Sequence, residues 1–498
     1  MNVNPITRLD YPDPDVIRVE DTYYMVSTTM HFMPGCEILQ SFDLVHWEHV
    51  TYVYETLDHT DAQQLKSGQN IYGQGMWAAS LRYHEGRFYI CFVANDTRKT
   101  YLYTSEKIDG PWKKQLIEGF YHDGSLLFDE DGRNYIVYGN DKIWITELNE
   151  DLTAPKKDGL HRLLVSDHKN PELGYEGSHI QKINGYYYIF LVHSLRDRWM
   201  RTEACFYSDS LEGEFTGGDV LCDDRGYCGQ GVAQGGIVDT PDGKWYAMLF
   251  QDSGAVGRIP ILLPVTWKDH FPVFGQNGHV PEEIEVHSTR PGYIYQPLVG
   301  SDDFCNGLLP RWQFNHDPDP RYYHLDALQG TYTITTREVC TELTQAVNTL
   351  TQRMSYPSCA AEVTVDASAL KEGDVAGLCA LQGCYAAVGI TKHHGKYEVL
   401  MLDKKEDGIL DMTEGTVVES HQMDFRLEAD FCNMKDEARC YYRVNKGDWL
   451  PIGTVHKLYF KLDHFTGCRF GLFCYAAEKT GGSACFRDFK YYDVDEIS

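Results

Sequence analysis

No stretch of these 498 residues approaches the roughly 18 apolar residues that a membrane span requires, so no membrane partner is expected. The opening MNVNPITRLDYPDPDV lacks a basic start, an apolar core and a small-residue cleavage site, and the expectation is a chain without a secretory signal. Basic charge is in deficit. Lys and Arg number 45 against 73 Asp and Glu, a formal net charge of −28. Such a field repels nucleic-acid phosphates and anionic lipid, and leaves a neutral ligand unaffected. The 15 cysteines are odd in number and scattered, with no C-x-x-C spacing, which points to a reduced, cytoplasmic chain. Long helical periodicity is missing from most of the first 300 residues.

What is present instead is short alternation, broken by Gly, Asp and Asn, the pattern of an all-β protein with short strands. Hydrophobic residues make up 43% and aromatics 13%, enough for full cores, and the length calls for at least two domains. Tyr is frequent, at 34 copies; its ring packs well in strands and against the C–H face of a sugar.

A turn followed by an aromatic strand recurs five times: EDTYYM with Tyr24, GRFYI with Tyr89, GRNYI with Tyr135, GYYYI with Tyr188 and GKWYA with Tyr246. The intervals of 65, 46, 53 and 58 residues each suit one four-stranded blade, so a five-bladed β-propeller is expected. Counting back 12 residues from each Tyr gives Trp77, Asp123, Glu176 and Gln234, and 11 in the first copy gives Asp13. In a propeller these positions ring one mouth of the central channel. Three carboxylates facing one another raise each other's pKa, so their convergence points to chemistry rather than packing. On register, Asp13 is preferred to Asp15 and Glu176 to Glu172, and Asp10 reads as a surface turn residue. Arg258 enters the apolar strand Ile259 to Val265 after a glycine-rich run, where a charge needs a partner or a ligand.

At these residues the chain resembles glycoside hydrolase family 43, whose members are β-xylosidases, α-L-arabinofuranosidases and arabinanases. The resemblance rests on Tyr11-Pro12-Asp13-Pro14-Asp15, Met76-Trp77-Ala78, His122-Asp123-Gly124-Ser125, Tyr175-Glu176-Gly177-Ser178-His179 and Gly257-Arg258-Ile259-Pro260, in the family's order. It implies an inverting mechanism with Asp13 as general base, Glu176 as general acid, and Asp123 as orienter and pKa tuner of the acid. It also implies a sugar contact for Arg258, a stacking wall at Trp77 and an aromatic subsite residue at Phe32. Many relatives carry His in the fifth blade, where it helps hold calcium or water on the axis. Gln234 stands there instead, so no cofactor is required and an axial calcium is in doubt. The segment around Gln234 to Trp267 looks more like the arabinofuranosidase-rich branch.

The pattern changes after Pro291. The expected domains are a propeller over 1–290, a linker over 291–301 and a jelly-roll-like β-sandwich over 302–498, with strands that include Leu458 to Leu462 and Arg469 to Ala476. The segment Trp312 to Asp319 reads as an interface or active-site element. The functional expectation is an exo-acting inverting hydrolase that releases α-L-arabinofuranose and/or β-D-xylose from hemicellulose oligosaccharides such as arabinoxylan, xylo-oligosaccharide or arabinosylated xyloglucan fragments. A non-catalytic sugar-binding propeller and a retaining hydrolase on a related five-bladed fold are the alternatives, and a homo-oligomer is compatible with the sequence.

Overall fold

The computed structural model describes residues 2–493; residue 1 and residues 494–498, at the outer ends of the two expected domains, lie outside the described residues. It is all-β: five four-stranded antiparallel sheets form a propeller, and two larger sheets form a β-sandwich. The innermost strands are Asp15–Val19, Met76–His84, Ser125–Phe128, Glu176–Ile183 and Val232–Asp239, and they neighbour one another around the axis. Each repeat Tyr lies on the second strand of its blade. In blades one, two and four the first hairpin closes through two residues, Glu20-Asp21, Glu85-Gly86 and Asn184-Gly185. Positive φ at both residues of the last two pairs is the mirror-image turn that suits twisted strands. Blades three and five use five-residue loops, 129–133 and 240–244.

Arg82 pins the blades at the axis. Its Nη1 donates to Asp15 in blade one at 2.8 Å, its Nε to the Leu126 carbonyl in blade three at 2.8 Å, and its Nη2 to Ser125 at 2.7 Å and to the Ile180 carbonyl of blade four at 3.2 Å. Arg18 pairs with Asp239 and joins blade one to blade five. The ring is also stapled by the N-terminal segment, where Tyr11 N–H donates to the Arg258 carbonyl and Asn4 donates to Leu262.

One sandwich sheet runs in the order Leu410–Met412, Lys396–Lys404, Ala386–His393, Asp374–Leu381, Arg469–Ala476, Leu350–Arg353, Gln313–Asn315 and then Phe32–Met33. Its last strand comes from the propeller, so the two domains share a sheet. Asp10, read from the sequence as a surface turn residue, is buried at this junction. It accepts from Arg258 N–H at 2.7 Å and from Gly467 N–H at 2.8 Å. Arg353 crosses the same boundary to Glu37 at 2.9 Å and to the Asp10 carbonyl at 2.9 Å, over the Tyr11 ring. The strand expected at Leu458 to Leu462 is not one. The edge strand ends at Lys457, and the following segment turns back to the propeller, because its buried groups, such as His464, face that domain.

Three histidines meet there. His31 from the propeller lies 4.8 Å from His316 and 5.0 Å from His464 of the sandwich, ring centre to ring centre, with Tyr72 packed against all three. Both ring nitrogens of His31 are buried without a hydrogen-bond partner. Burial, then the neighbouring imidazoles and Arg469, hold His31 well below the usual histidine pKa; burial does the same to His316, and it takes His464 to about 3. The unfolded chain takes up protons below about pH 6.5 that these rings refuse, so stability falls as pH drops, by roughly 1.4 kcal/mol per pH unit for each ring. His31→Phe removes one such group and two unpartnered nitrogens. Thermal unfolding from pH 7 to pH 5 should show the variant at least as stable as the parent at pH 7 and less sensitive to acid; a variant less stable at every pH would contradict this.

Candidate active site

Asp13, Asp123 and Gln234 share left-handed backbone, with φ of 53°, 47° and 63°, and Gly177 has 66°. These four stand at the same offset from the residue paired with the repeat Tyr in their blades. Trp77 and Glu176 are each one residue before the strict equivalent positions, which Ala78 and Gly177 occupy. The glycine that follows Glu176 is required, since a Cβ there would come within 2.7 Å of the Gln234 side chain. All five counted positions apart from that offset reach one pocket of about 620 Å³, lined by Asp13, Trp77, Asp123, Glu176, Gln234 and Arg258 among others.

Each carboxylate has its own supports. Asp13 Oδ2 accepts from the Thr28 hydroxyl at 2.6 Å and its Oδ1 from Arg258 Nη1 at 3.1 Å. Glu176 Oε2 accepts from the Asn140 amide at 2.6 Å. Asp123 Oδ2 accepts from Gly177 N–H at 3.1 Å, which couples it to the backbone beside Glu176. His122 Nε2 lies 3.6 Å from both Asp123 and Glu176. Burial, with the charges of Glu176 and Asp13, raises the Asp123 pKa to about 6 against the opposing pull of His122. Burial disfavours a charged His122, but Asp123, Glu176 and Asp13 outweigh it and lift its pKa to about 9.

The pocket wall carries polar atoms with no hydrogen-bond partner: Arg258 Nε and Nη2, Trp77 Nε1 and Asp252 Oδ1. Buried groups in that state cost stability, and a hydroxyl-rich ligand would satisfy them. Asp15, the rival to Asp13, is spent elsewhere. Burial alone would raise its pKa, yet Arg82, His179 and Leu81 N–H hold it below the ordinary carboxylate value. Glu172, the rival to Glu176, is exposed at the rim.

Phe32 is not a subsite residue. It is fully buried, paired to Asn315 in the shared sheet and covered by the Arg469 guanidinium at 3.4 Å. The aromatic wall comes from the sandwich instead. Phe465 lies 4.3 Å from the Arg258 guanidinium and 5.8 Å from Trp77, with Phe460 behind it. The segment Trp312 to Asp319 stays at the domain boundary and does not line the pocket. Sequence reasoning passed over His122, although it sits inside a quoted motif, and also Asn140, Trp199, Arg201 and Asp252. No spacing pointed to Phe465, which arrives from a different domain.

Among the described residues, only His122, Asp123 and Glu176 are close enough to share a metal ion, with ligand atoms within 4.8 Å of one another. With His122 protonated to about pH 9, a positive charge already faces Asp123 and Glu176 there. An axial calcium does not fit these residues. The Arg82 guanidinium lies on the axis, and both oxygens of Asp15 are engaged by Arg82, Leu81 N–H and His179.

Carboxylates with separate supports, a fixed guanidinium and unpaired donors make a site for acid–base cleavage of a neutral, hydroxyl-rich substrate. Residues 3–272 match Glycosyl hydrolases family 43, and residues 301–492 match the Beta xylosidase C-terminal Concanavalin A-like domain. The chain belongs to glycosyl hydrolases family 43. It is 27% identical to a beta-xylosidase of Formosa agariphila, over 99% of this chain and 89% of that one. It is 26% identical to a non-reducing end alpha-L-arabinofuranosidase of Bacteroides ovatus, over 66% and 63%. A solved bifunctional GH43-CE protein of Bacteroides eggerthii superposes with a TM-score of 0.93 at 42% identity; it covers all of this chain, which spans 64% of that longer protein.

A buried Asp with a raised pKa has its full stability below the unfolded value near 3.8 and loses it as pH rises through about 6. Asp123→Asn escapes that loss. Its melting temperature relative to the parent should climb between pH 4 and pH 7 and then level off; a flat or falling difference would show that Asp123 carries no such strain.

Proposed function

We propose that this family member is an exo-acting, inverting glycosidase that removes terminal α-L-arabinofuranose or β-D-xylose from hemicellulose oligosaccharides. The observation that carries the reading is the separation of supports within one pocket. Asp13 is held by Thr28 and Arg258, Glu176 by Asn140, and Asp123 is electrostatically joined to both. This division supports a reading in which one carboxylate serves a water and another serves a departing oxygen, the two roles of an inverting enzyme. The sandwich segment with Phe460 and Phe465 walls the pocket, which favours action at a chain end. Relatives named for xylosidase and arabinofuranosidase activity support a pentose as the sugar released.

In this reading Asp13, fixed at both oxygens, takes a proton from water as its oxygen attacks the anomeric carbon. Glu176 gives a proton to the glycosidic oxygen as that bond breaks. Asp123 accepts from Gly177 N–H, which orients the peptide next to Glu176. The free N–H groups of Arg258 and Trp77 donate to hydroxyls of the sugar and exclude water from its face. No step calls for a metal.

Hydrolysis of aryl α-L-arabinofuranoside and aryl β-D-xyloside, followed by proton NMR of the first-formed sugar, tests this. The expected product has the anomeric configuration opposite to the substrate. Retained configuration, or no release of either pentose, would overturn it.

A further inference from the structure

Three residues of the pocket have no part in the mechanism above: Trp199, Arg201 and Asp252. Trp199 is 44% exposed, the only tryptophan among the large exposed hydrophobics of the described residues, and it lines the pocket. An exposed indole that lines a pocket offers a ring face to a bound sugar. Its support argues for a platform. The Arg201 guanidinium lies between the Trp199 ring at 5.3 Å and the Phe250 ring at 5.2 Å, and its Nε donates to Asp252 Oδ2 at 2.9 Å. Arg201 is buried, so the ring rests on a fixed cation rather than a mobile one. Asp252 stands opposite Arg258 across the blade-five ladder, and its Oδ1 is buried without a partner.

Chain connectivity says which part of a substrate this wall meets. Glu176 pairs with Val192, and the strand that contains Val192 runs on to Ser194 before the 195–200 loop that carries Trp199. The platform therefore rises from the same blade as the proposed acid. The acid delivers its proton to the glycosidic oxygen, and the sugar beyond that oxygen is the one that departs. We propose that Trp199, held by the Arg201–Asp252 pair, is the stacking platform of the leaving-group subsite, and that it selects a neutral sugar residue as the departing unit. Asp252 Oδ1, which has no hydrogen-bond partner, is an acceptor for a hydroxyl of that sugar. The −28 net charge does not oppose a neutral ligand, and a ring face packs against the C–H surface of a pyranose with no charge needed. Arg201 and Asp252 act through Trp199 as positioning residues. The inference rests on the pentosidase reading and specifies its second subsite.

The test compares two substrates in the intact chain, a 4-nitrophenyl pentoside and a xylo- or arabinoxylo-oligosaccharide with the same terminal pentose. Trp199→Ala should raise KM for the oligosaccharide about tenfold, the equivalent of one stacking contact, and its loss in kcat/KM should exceed the loss on the aryl substrate by a similar factor. Trp199→Phe should recover most of the oligosaccharide loss, because it restores a ring. Melting temperatures of both variants serve as the check on folding. Equal losses on the two substrates, or no loss on either, would overturn the subsite while leaving the pentosidase reading standing. A parent chain that cleaves neither substrate would overturn both.

Discussion

The Arg82 guanidinium sits where the inner strands of blades one, two, three and four meet and where no side chain of that charge would be tolerated alone. It is tolerated because Asp15 neutralises it at 2.8 Å and because carbonyl and hydroxyl oxygens from blades three and four take its remaining donors. A buried pair of this kind adds little net stability, but it specifies geometry, since removing either partner strands the other. The consequence is a rigid floor under the pocket. Asp13 lies two residues from Asp15, and His179, the second partner of Asp15, lies three residues from Glu176. The backbone of both proposed catalytic carboxylates is thus referred to one charged centre on the axis.

Above that floor the pocket is kept open by a second constraint. Arg258 pairs with Asp13, and His122 lies 3.6 Å from both Asp123 and Glu176, so each carboxylate faces a positive group. This arrangement depends on the sandwich. Its Gly467 N–H and the Arg258 N–H share Asp10, and its Phe465 ring covers the guanidinium. A sheet completed by Phe32–Met33 and the buried Arg353–Glu37 pair prevent the two domains from moving apart without breaking hydrogen bonds. The catalytic mouth is a product of both domains.

Much of this was legible in the amino-acid sequence. Repetition carried the propeller, because five copies of one hairpin cannot be hidden by variable loops, and the counted register brought Asp13, Trp77, Asp123 and Gln234 to one mouth. In blades two and four it reached Trp77 and Glu176, one residue before the equivalent Ala78 and Gly177, because their first hairpins close through two residues like that of blade one and not through five. What stayed hidden was contact between distant segments. Phe32 has the right neighbours in sequence but is captured by Arg469 and Asn315 from the sandwich. Leu458 to Leu462 alternates like a strand, yet it forms the approach to Phe465. His122 was passed over because a histidine beside an aspartate has no meaning until Glu176 is placed 3.6 Å away.

The central claim is that Glu176 supplies a proton to the departing oxygen while Asp13 serves the water. Leaving-group dependence tests it directly. Glu176→Gln should lose about 10²–10⁴-fold on substrates whose leaving group is a sugar hydroxyl, and far less on a nitrophenyl glycoside, whose leaving oxygen needs little protonation. Asp13→Asn should fail on both alike. If Glu176→Gln lost the same factor on both substrates, or if Glu172→Gln showed the leaving-group dependence instead, the assignment of the acid would be wrong.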